Sequence, residues 1–600
     1  MIYNGMHISA ILLVIALIAA CDGNPKVIAD DPVVLTSSPS ELVFDSAGGT
    51  LDLSITSDTK PAVTCSDSWV SVTSGDYSGN ILKASVTVSA NDDTKERSSS
   101  IRVIGNKQSL MIPLKQKVES VKLSSDVPAL DFTCAGGSKT FTVTSSLQPE
   151  VVCNSKWCTV SAGEIDSSRQ TVFTVDAAGN RTSSARTAYA TVKCGDETLE
   201  VKISQPALSI TSATASAITP EIVFNKMRMG WDLGNHMDAY SNGVASETAW
   251  GNSKCTQALF DAVKAAGMST VRICVTWLGH IGPAPAYRLD EKWLSRVEEI
   301  VGYAEKAGLN AIVNTHHDEC NNNGNWQDIL SASKDSAVNE QIKDELFCIW
   351  AQIAERFKDK GEWLIFEPYN EIQDGGWGWS STFRTNPDPQ YKALNEWAQT
   401  FVDAVRCTGG NNSTRWLGIP GYAANPSFTI KGLVLPTDYT SGNRLIVAVH
   451  DYDPYNYTLN DPLVRQWGHT ADKDKRCSDT DEQNVVDVFD QLKAAYLDKG
   501  IPVYIGEMGC SRHEDEDFPY QKYYIEYFCK AAADRLLPMM VWDNGNKGVG
   551  SETHAYFDHG TGKFSDDKAE ELVNLMLKAV NTTSSDYTLQ SVYDSAPTAN

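Results

Sequence analysis

The sequence contains no apolar run long enough to cross a bilayer as a helix. The stretch over residues 8–20 holds thirteen residues, where a spanning helix needs about 20. Positive charge is short: 51 Lys and Arg face 76 Asp and Glu, a net charge of −25. That excludes nucleic acid as a partner, since gripping phosphates needs a basic footprint, and it disfavours a polyanionic substrate. Cysteine is sparse, fourteen in 600 residues, too few for a disulfide scaffold. There is no His-Glu-x-x-His and no EF-hand spacing with its Gly, so two common metal signatures are missing. What remains is an ordinary globular balance, 42% hydrophobic and 21% charged, in a chain long enough for several domains.

The run over 8–20 has the length of a signal-peptide core. Residues 1–20 hold no Lys or Arg, so the usual basic start is absent. The sequence Leu17-Ile18-Ala19-Ala20-Cys21 resembles a bacterial lipoprotein box, which implies that Cys21 is lipidated and becomes the first residue. Residues 1–21 are therefore read as a signal and 22–34 as a tether. The expectation is an exported lipoprotein of a Gram-negative bacterium, facing the cell surface or the periplasm. Export permits disulfides, but the sequence does not pair the other thirteen cysteines.

A repeat organises the next part. Leu42, Gly48, Gly49, Pro61, Cys65 and Trp69 recur as Leu130, Gly136, Gly137, Pro149, Cys153 and Trp157, each 88 residues on. Both copies alternate polar and apolar residues, as in Thr50-Leu51-Asp52-Leu53-Ser54-Ile55 and Lys139-Thr140-Phe141-Thr142-Val143-Thr144, the period of half-buried strands. With turn signals every 8–12 residues, they read as two all-β immunoglobulin-like sandwiches, 35–118 and 119–207. Each resembles the BACON domain of gut and rumen Bacteroidetes, whose name implies glycan binding. The residues favour a spacer, because each copy has one Trp and a sugar platform usually needs several exposed aromatics. Trp69 and Trp157 are expected in the cores. Deleting residues 22–207 is expected to leave activity nearly unchanged.

After a linker, 208–217, the pattern changes to apolar runs at 227–233, 270–277, 310–316, 363–369, 416–420, 445–450, 503–506 and 539–542. Helix-like stretches separate most of them, one ending at Gly267 as a C-cap would. Eight such units predict an α/β (β/α)8 TIM barrel over 218–582, with a tail at 583–600. The longest loop is expected between Gln373 and Gln390. In this fold chemistry sits at the carboxyl ends of the strands. Those ends supply Asp232 with Asn235-His236, Arg272, His316-His317-Asp318-Glu319, Asn370-Glu371, His450-Asp451-Tyr452, Glu507 and Trp542-Asp543-Asn544.

Cleaving an acetal between sugars needs a proton for the leaving oxygen and support for a cationic centre, which two carboxyl groups supply. Glu371 and Glu507, on opposite sides of the barrel, are the natural pair. The set Arg272, His316-His317, Asn370-Glu371, His450-x-Tyr452, Glu507 and Trp542 resembles glycoside hydrolase family 5, whose members are retaining β-glycanases. The stretch Asn370-Glu371-Ile372-Gln373-Asp374-Gly375-Gly376-Trp377-Gly378-Trp379 resembles a Bacteroidetes branch acting on β-1,4-glucans and xyloglucan. It departs from many members at Ile372, where they have Pro. The resemblance implies Glu371 as acid/base and Glu507 as nucleophile. It implies sugar contacts from Arg272, His316, His317, Asn370, His450, Tyr452 and Trp542, with Trp377 and Trp379 as binding aromatics.

Other residues weigh less. Glu367 lies deeper and is read as a buried, paired acid. The run His316–Glu319 is a poor joint metal site, since neighbours in a strand face opposite ways. The acidic loops near Asp472–Glu482 and His513–Asp517 read as solvated. Cys510 reads as packed, with no His beside it. Trp277, Trp326 and Trp467 are placed with Trp377 and Trp379 on the active face, and Trp293, Trp350 and Trp397 in the core. The expectation is a monomeric endo-β-1,4-glucan hydrolase acting on plant polysaccharide, with no metal or cofactor. The alternatives are a β-mannanase or other β-glycanase on the same barrel, and an inactive surface glycan-binding lipoprotein.

Overall fold

The computed structural model describes residues 33–319, 325–460 and 463–598. The proposed lipid-bearing Cys21 lies outside them. Among the described residues no helix is long and apolar enough to cross a membrane. The chain divides into two compact units, one ending at Val121 and the other starting at Lys122.

The first unit is a sandwich of two four-stranded sheets. One runs in the order Thr36–Ser38, Gly49–Thr56, Ile81–Val88, Val70–Ser78 and the other Leu42–Phe44, Gln108–Gln116, Arg97–Gly105, Ala62–Thr64. Alternation buries Leu53, Ile55, Leu82, Val86, Ile101, Val103, Ile112 and Leu114 between them. The second sandwich, which opens the second unit, repeats this plan around Phe141, Val143, Phe173, Val175, Val192, Val201 and Ile203. The paired glycines are turns, as expected: Gly48 and Gly136 have φ of +74° and +79°, and a Cβ on either would lie 2.4 or 2.5 Å from a backbone oxygen.

Trp69 and Trp157 pack against these cores, each capped by a guanidinium, Arg97 or Arg186, 4.6 Å from the ring. Each Arg also donates to a buried Gln, Gln116 or Gln205, at 2.7 Å. Asn91 and Asn180 bond two carbonyls apiece. These three pairs repeat at a spacing of 89, one residue off the spacing of the Trp pair. One inserted residue between the Trp and these positions accounts for the shift.

The rest of the second unit is a closed parallel barrel, in the strand order expected. Its strands are β1 (Met229–Leu233), β2 (Thr270–Ile273), β3 (Asn310–Asn314), β4 (Leu364–Glu367), β5 (Leu417–Pro420), β6 (Leu445–His450), β7 (Val503–Met508) and β8 (Met539–Asp543). The helices that follow them in turn are α1 (Gln257–Ala266), α2 (Glu291–Ala307), α3 (Ser336–Arg356), α4 (Asp388–Arg406), α5 (Pro426–Gly432), α6 (Asp481–Ala495), α7 (Phe518–Ala533) and α8 (Asp567–Asn581). Local signals start and stop them. Asp290 caps α2 through a 2.8 Å bond from the Trp293 N–H, and Gly267 ends α1 in the left-handed region at φ +114°.

Three expectations need correction or extension. The longest strand-to-helix connection is 451–480, not the one beginning near Gln373. Apart from the short helical turn Asn456–Asn460, its described residues form irregular turns that carry no period to read. Residues 583–598 include a short helix, Leu589–Tyr593, which packs on the barrel through Tyr587, Leu589 and Tyr593. The second sandwich rests on α3. Arg181 pairs with Glu340 and Asp344, both at 2.8 Å, and the Gly179 N–H meets the Cys348 sulfur at 3.3 Å.

Candidate active site

Strand ends bring the site together. Arg272 on β2 is fully buried and holds several acids at once. Its guanidinium lies 2.8 Å from Glu507, 2.8 Å from Glu367 and 3.4 Å from Asp232, and it donates to Asn370 at 2.6 Å. A buried cation is tolerable only with such partners. Glu367 is the structural acid that its depth suggested. Burial works against its ionised form, but Arg272 outweighs it and holds the carboxyl below its usual range. Asn314 at the end of β3 and the Tyr504 hydroxyl also donate to Glu367.

Glu371 and Glu507 flank His450. The His450 Nδ1 lies 2.7 Å from Glu371 and 3.7 Å from Glu507, and one oxygen of each carboxylate lies within 4.8 Å of the other. The two acids differ in company. Burial, reinforced by the charge of Glu319, pushes Glu371 up to about 8. Burial also raises Glu507, but the Arg272 guanidinium pulls against it, and the Tyr452 hydroxyl donates to it at 3.0 Å. Glu507 is thus the member of the pair equipped to carry charge. Burial lowers His450 to about 4, so its ring is neutral at ordinary pH.

His316 is buried and neutral, its ring parallel to Trp542 at 5.8 Å. His317 is its opposite. Burial opposes its charged form, but Glu319 at 3.4 Å and Asp238 at 3.8 Å prevail and raise it to about 9. The strand argument against a joint role for the two histidines does not hold here, because β3 ends at Asn314. Beyond it alternation lapses, and the rings meet edge to face at 4.4 Å. Asp238, His316 and His317 place ligand atoms within 4.8 Å of one another, as do His236, Glu247 and Cys255. In the second group Arg296 already sits on Glu247 at 2.7 Å. In the first, His317 faces carboxylates as a cation.

The aromatic expectations divide. Trp377 and Trp379 stand on the β4–α4 loop, 50% and 76% exposed. That loop is braced: Asp374 accepts from Gly376 N and Gln390, Gln373 accepts from Trp377 N, and Arg384 lies over the Trp379 ring. Trp277 and Trp467 are fully buried, which corrects their placement on the active face. Trp277 tucks under the β3 loop, donating its backbone N–H to Asp318, and Trp467 packs against Tyr523, Tyr524 and Tyr527 of α7. Trp326 is partly buried and donates to Asp318. Trp293, Trp350 and Trp397 are core, as read. Cys510 does have a His beside it, His513 at 3.8 Å, but it is buried and its thiol is pushed up by burial.

Sequence reasoning passed over Asn314, Tyr504, Trp250 and Glu552. Trp250 is 39% exposed and lies 5.4 Å from the His317 ring. Glu552 senses the charges of Glu507 and Glu371. Asn314 and Tyr504 could have been noticed as polar groups within otherwise apolar strands. Trp250 and Glu552 lie in irregular loops, where the sequence carries no signal.

Comparison with known proteins gives the following. Residues 237–548 match the family model described as cellulase, glycosyl hydrolase family 5. Residues 58–117 and 149–206 match BACON, described as a putative N-terminal binding domain. The chain is 35% identical to Endoglucanase A of Paenibacillus barcinonensis over 358 residues, 57% of this chain and 85% of that one. The solved structure of a GH5-4 broad specificity endoglucanase from Bacteroides salanitronis is 50% identical with a TM-score of 0.59, covering 63% of this chain and 98% of its own. A Bacteroidetes-affiliated GH5 cellulase linked with a polysaccharide utilization locus is 43% identical, with a TM-score of 0.60 and 62% and 96% covered.

Proposed function

This chain belongs to glycosyl hydrolase family 5, and from that premise we propose that it is an endo-acting β-1,4-glucan hydrolase working by double displacement with retention. The observation that carries the mechanism is the closeness of Glu371 and Glu507. Oxygens within 4.8 Å support the short separation of retaining enzymes, about 5–5.5 Å, over the about 6.5–9.5 Å of inverting ones.

In the first step the Glu507 carboxylate attacks the anomeric carbon while Glu371 gives its proton to the departing glycosidic oxygen. A glycosyl ester on Glu507 results. In the second step Glu371, now ionised, takes a proton from water, and the water oxygen displaces Glu507. Arg272 and Tyr452 hold Glu507 ionised and aimed. Asn370, held by Arg272, is placed for the sugar 2-hydroxyl. His450 spaces the two acids, and Trp542 supports the ring at the cleavage point. His316 and His317 serve sugar hydroxyls. The chemistry closes with these groups and calls on no cofactor.

Trp377 and Trp379 extend the binding surface beyond the cleavage point, which suits a long chain cut internally. The broad specificity named for the Bacteroides salanitronis relative supports testing cellulose-type glucan, xyloglucan and mixed-linkage glucan together. The relative tied to polysaccharide utilization supports action outside the cell, with the anchor at Cys21. For the sandwiches we favour support over glycan capture, since Arg97 and Arg186 cover the two Trp faces.

The test is reducing-end release on carboxymethylcellulose, xyloglucan, mixed-linkage glucan, glucomannan, galactomannan and xylan, beside the Glu507→Gln variant. Release on β-glucans that vanishes in the variant, with a β-anomeric first product by NMR, is the expected result. An α-anomeric product would overturn retention. Preference for galactomannan would move the assignment to a mannanase, and no release by a folded protein would move it to a glycan-binding lipoprotein.

A further inference from the structure

The connection between two edge strands of the second sandwich carries a cysteine at each end. Cys153 closes Glu150–Cys153, the edge strand of one sheet, and Cys158 opens Cys158–Ala162, the edge strand of the other. Only Asn154, Ser155, Lys156 and Trp157 lie between them. The chain passes from sheet to sheet here, and its two sulfurs meet across the gap at 3.5 Å. Cys158 is buried and Cys153 half-buried.

Each position is fixed by its own sheet. Cys153 pairs with Ala190 and Cys158 with Ala177, so small side chains stand opposite both thiols. Between them the Trp157 N–H donates to the Ser155 hydroxyl at 3.1 Å, and the Trp157 carbonyl accepts from the Ala178 N–H at 2.8 Å. A disulfide needs its sulfurs at about 2.0 Å. Side-chain rotation covers the remaining gap with both strands left in register.

The first sandwich shows the same turn without the pair. There the counterpart of Cys153 is Cys65 and that of Cys158 is Val70, both 88 residues earlier. Cys65 meets the Ser99 hydroxyl at 3.2 Å, and Val70 fills the buried place. An apolar residue therefore suffices to pack this position. The second copy puts a thiol there instead, in contact with the thiol that both copies share.

We propose that Cys153 and Cys158 form a disulfide that closes this edge of the second sandwich and joins its two sheets. The oxidant is an external disulfide, protein-borne or small, of the kind that the export proposed above exposes the chain to. The Cys153 thiolate attacks a sulfur of that disulfide, forming a mixed disulfide and releasing one thiol. Cys158 then loses its proton and attacks the Cys153 sulfur, and the oxidant leaves as its second thiol. Two thiols of this chain lose two electrons and two protons, and the oxidant gains them.

Burial sets this order. Cys153 reaches solvent, where the oxidant is. Cys158 does not, and burial pushes its thiol up, so it stays protonated until the mixed disulfide stands beside it. Trp157 lies within the loop that the bond closes. The bond therefore also holds the indole that Arg186 covers at 4.6 Å.

Trypsin cuts after Lys156, between the two cysteines, and so places them on peptides 140–156 and 157–169. The full chain is equilibrated with oxidised and reduced glutathione, alkylated with iodoacetamide under denaturing conditions and digested without reduction. Mass mapping is expected to find 140–156 joined to 157–169. Calorimetry is expected to show the oxidised wild type melting several degrees above the phosphine-reduced protein. Cys158→Val installs the residue of the first sandwich. It is expected to leave Cys153 alkylated and to melt at the same temperature with and without phosphine. The bond is overturned if both cysteines are alkylated in the oxidised wild type, or if 140–156 is joined instead to another cysteine peptide such as 123–139 or 194–202. Its role in closing the sandwich is overturned if the wild type melts alike oxidised and reduced, or if Cys158→Val still responds to phosphine. Oxidation in glutathione buffer makes the map independent of export, and the wild-type map decides the bond even if the variant folds poorly.

Discussion

Glu371 and Glu507 are the same side chain at the ends of two strands, and burial raises both. Their roles separate through their neighbours. Glu507 has the Arg272 guanidinium at 2.8 Å and the Tyr452 hydroxyl at 3.0 Å, while Glu371 touches the neutral His450 and feels the charge of Glu319. The sequence named both acids through their positions at strand ends. It could not show the proton balance, because that depends on groups such as Arg272, His317 and Glu319 that converge only on folding. Two outcomes follow at this scale. Glu371→Gln should lose about 10²–10⁴-fold in rate on polysaccharide and far less on aryl glycosides whose leaving groups need no proton. Equal losses on both would reverse the acid assignment. The second concerns pH. The proposed acid role needs Glu371 protonated, so kcat/KM should fall as pH rises through about 8. His317, cationic up to about 9, favours the ionised form of Glu371. Removing that cation in His317→Asn should therefore move the falling limb to higher pH, by about one unit. A limb that stays in place would show that His317 does not tune the acid.

The β4–α4 loop shows what an element adds. Strand β4 ends at Glu367, and the chain leaves it through Asn370 and Glu371 before turning outward to Trp377 and Trp379. Trp377 sits at φ +49°, a conformation that a bulky residue adopts only when its surroundings impose it. The Gln373 and Asp374 side chains supply that imposition. The loop therefore presents its rings preformed and avoids part of the ordering cost of binding. Replacing Trp377 or Trp379 by Ala should raise KM on polymer about fivefold, the size of about 1 kcal/mol of lost aromatic contact. Turnover should stay unchanged, as for binding shared by ground and transition states. A fall in kcat with constant KM would place the rings at the reacting sugar instead. Period and turn signals exposed the barrel strands to sequence reading, since apolar runs bounded by polar strand ends are dictated by the closed sheet. They could not separate Trp377 from Trp277. Both follow strand ends, and only packing decides that one faces solvent while the other lies under the β3 loop.

The second sandwich is covalently near the barrel and, in the folded chain, also packed on it. Composition and repeats revealed the sandwich as a domain, but its docking joins residues more than 150 positions apart, such as Arg181 with Glu340, and no local pattern encodes that. The spacer reading therefore needs division. Support for the catalytic face comes from the barrel itself: every group around Glu371 and Glu507 lies after residue 217. Support for α3 comes partly from the sandwich, which meets Cys348 through Gly179 and engages Glu340 and Asp344 through Arg181. Cutting before residue 208 uncovers Cys348 and leaves both acids without their guanidinium. Cutting before residue 122 leaves this interface whole. The 122–600 and 208–600 fragments should thus turn over soluble glucan at the same rate well below their melting points, while the shorter one melts several degrees lower. Calorimetry beside initial-rate assays tests both halves. Equal melting points would show that the contact contributes nothing to stability. Unequal rates at low temperature would show that the sandwich shapes the site through α3.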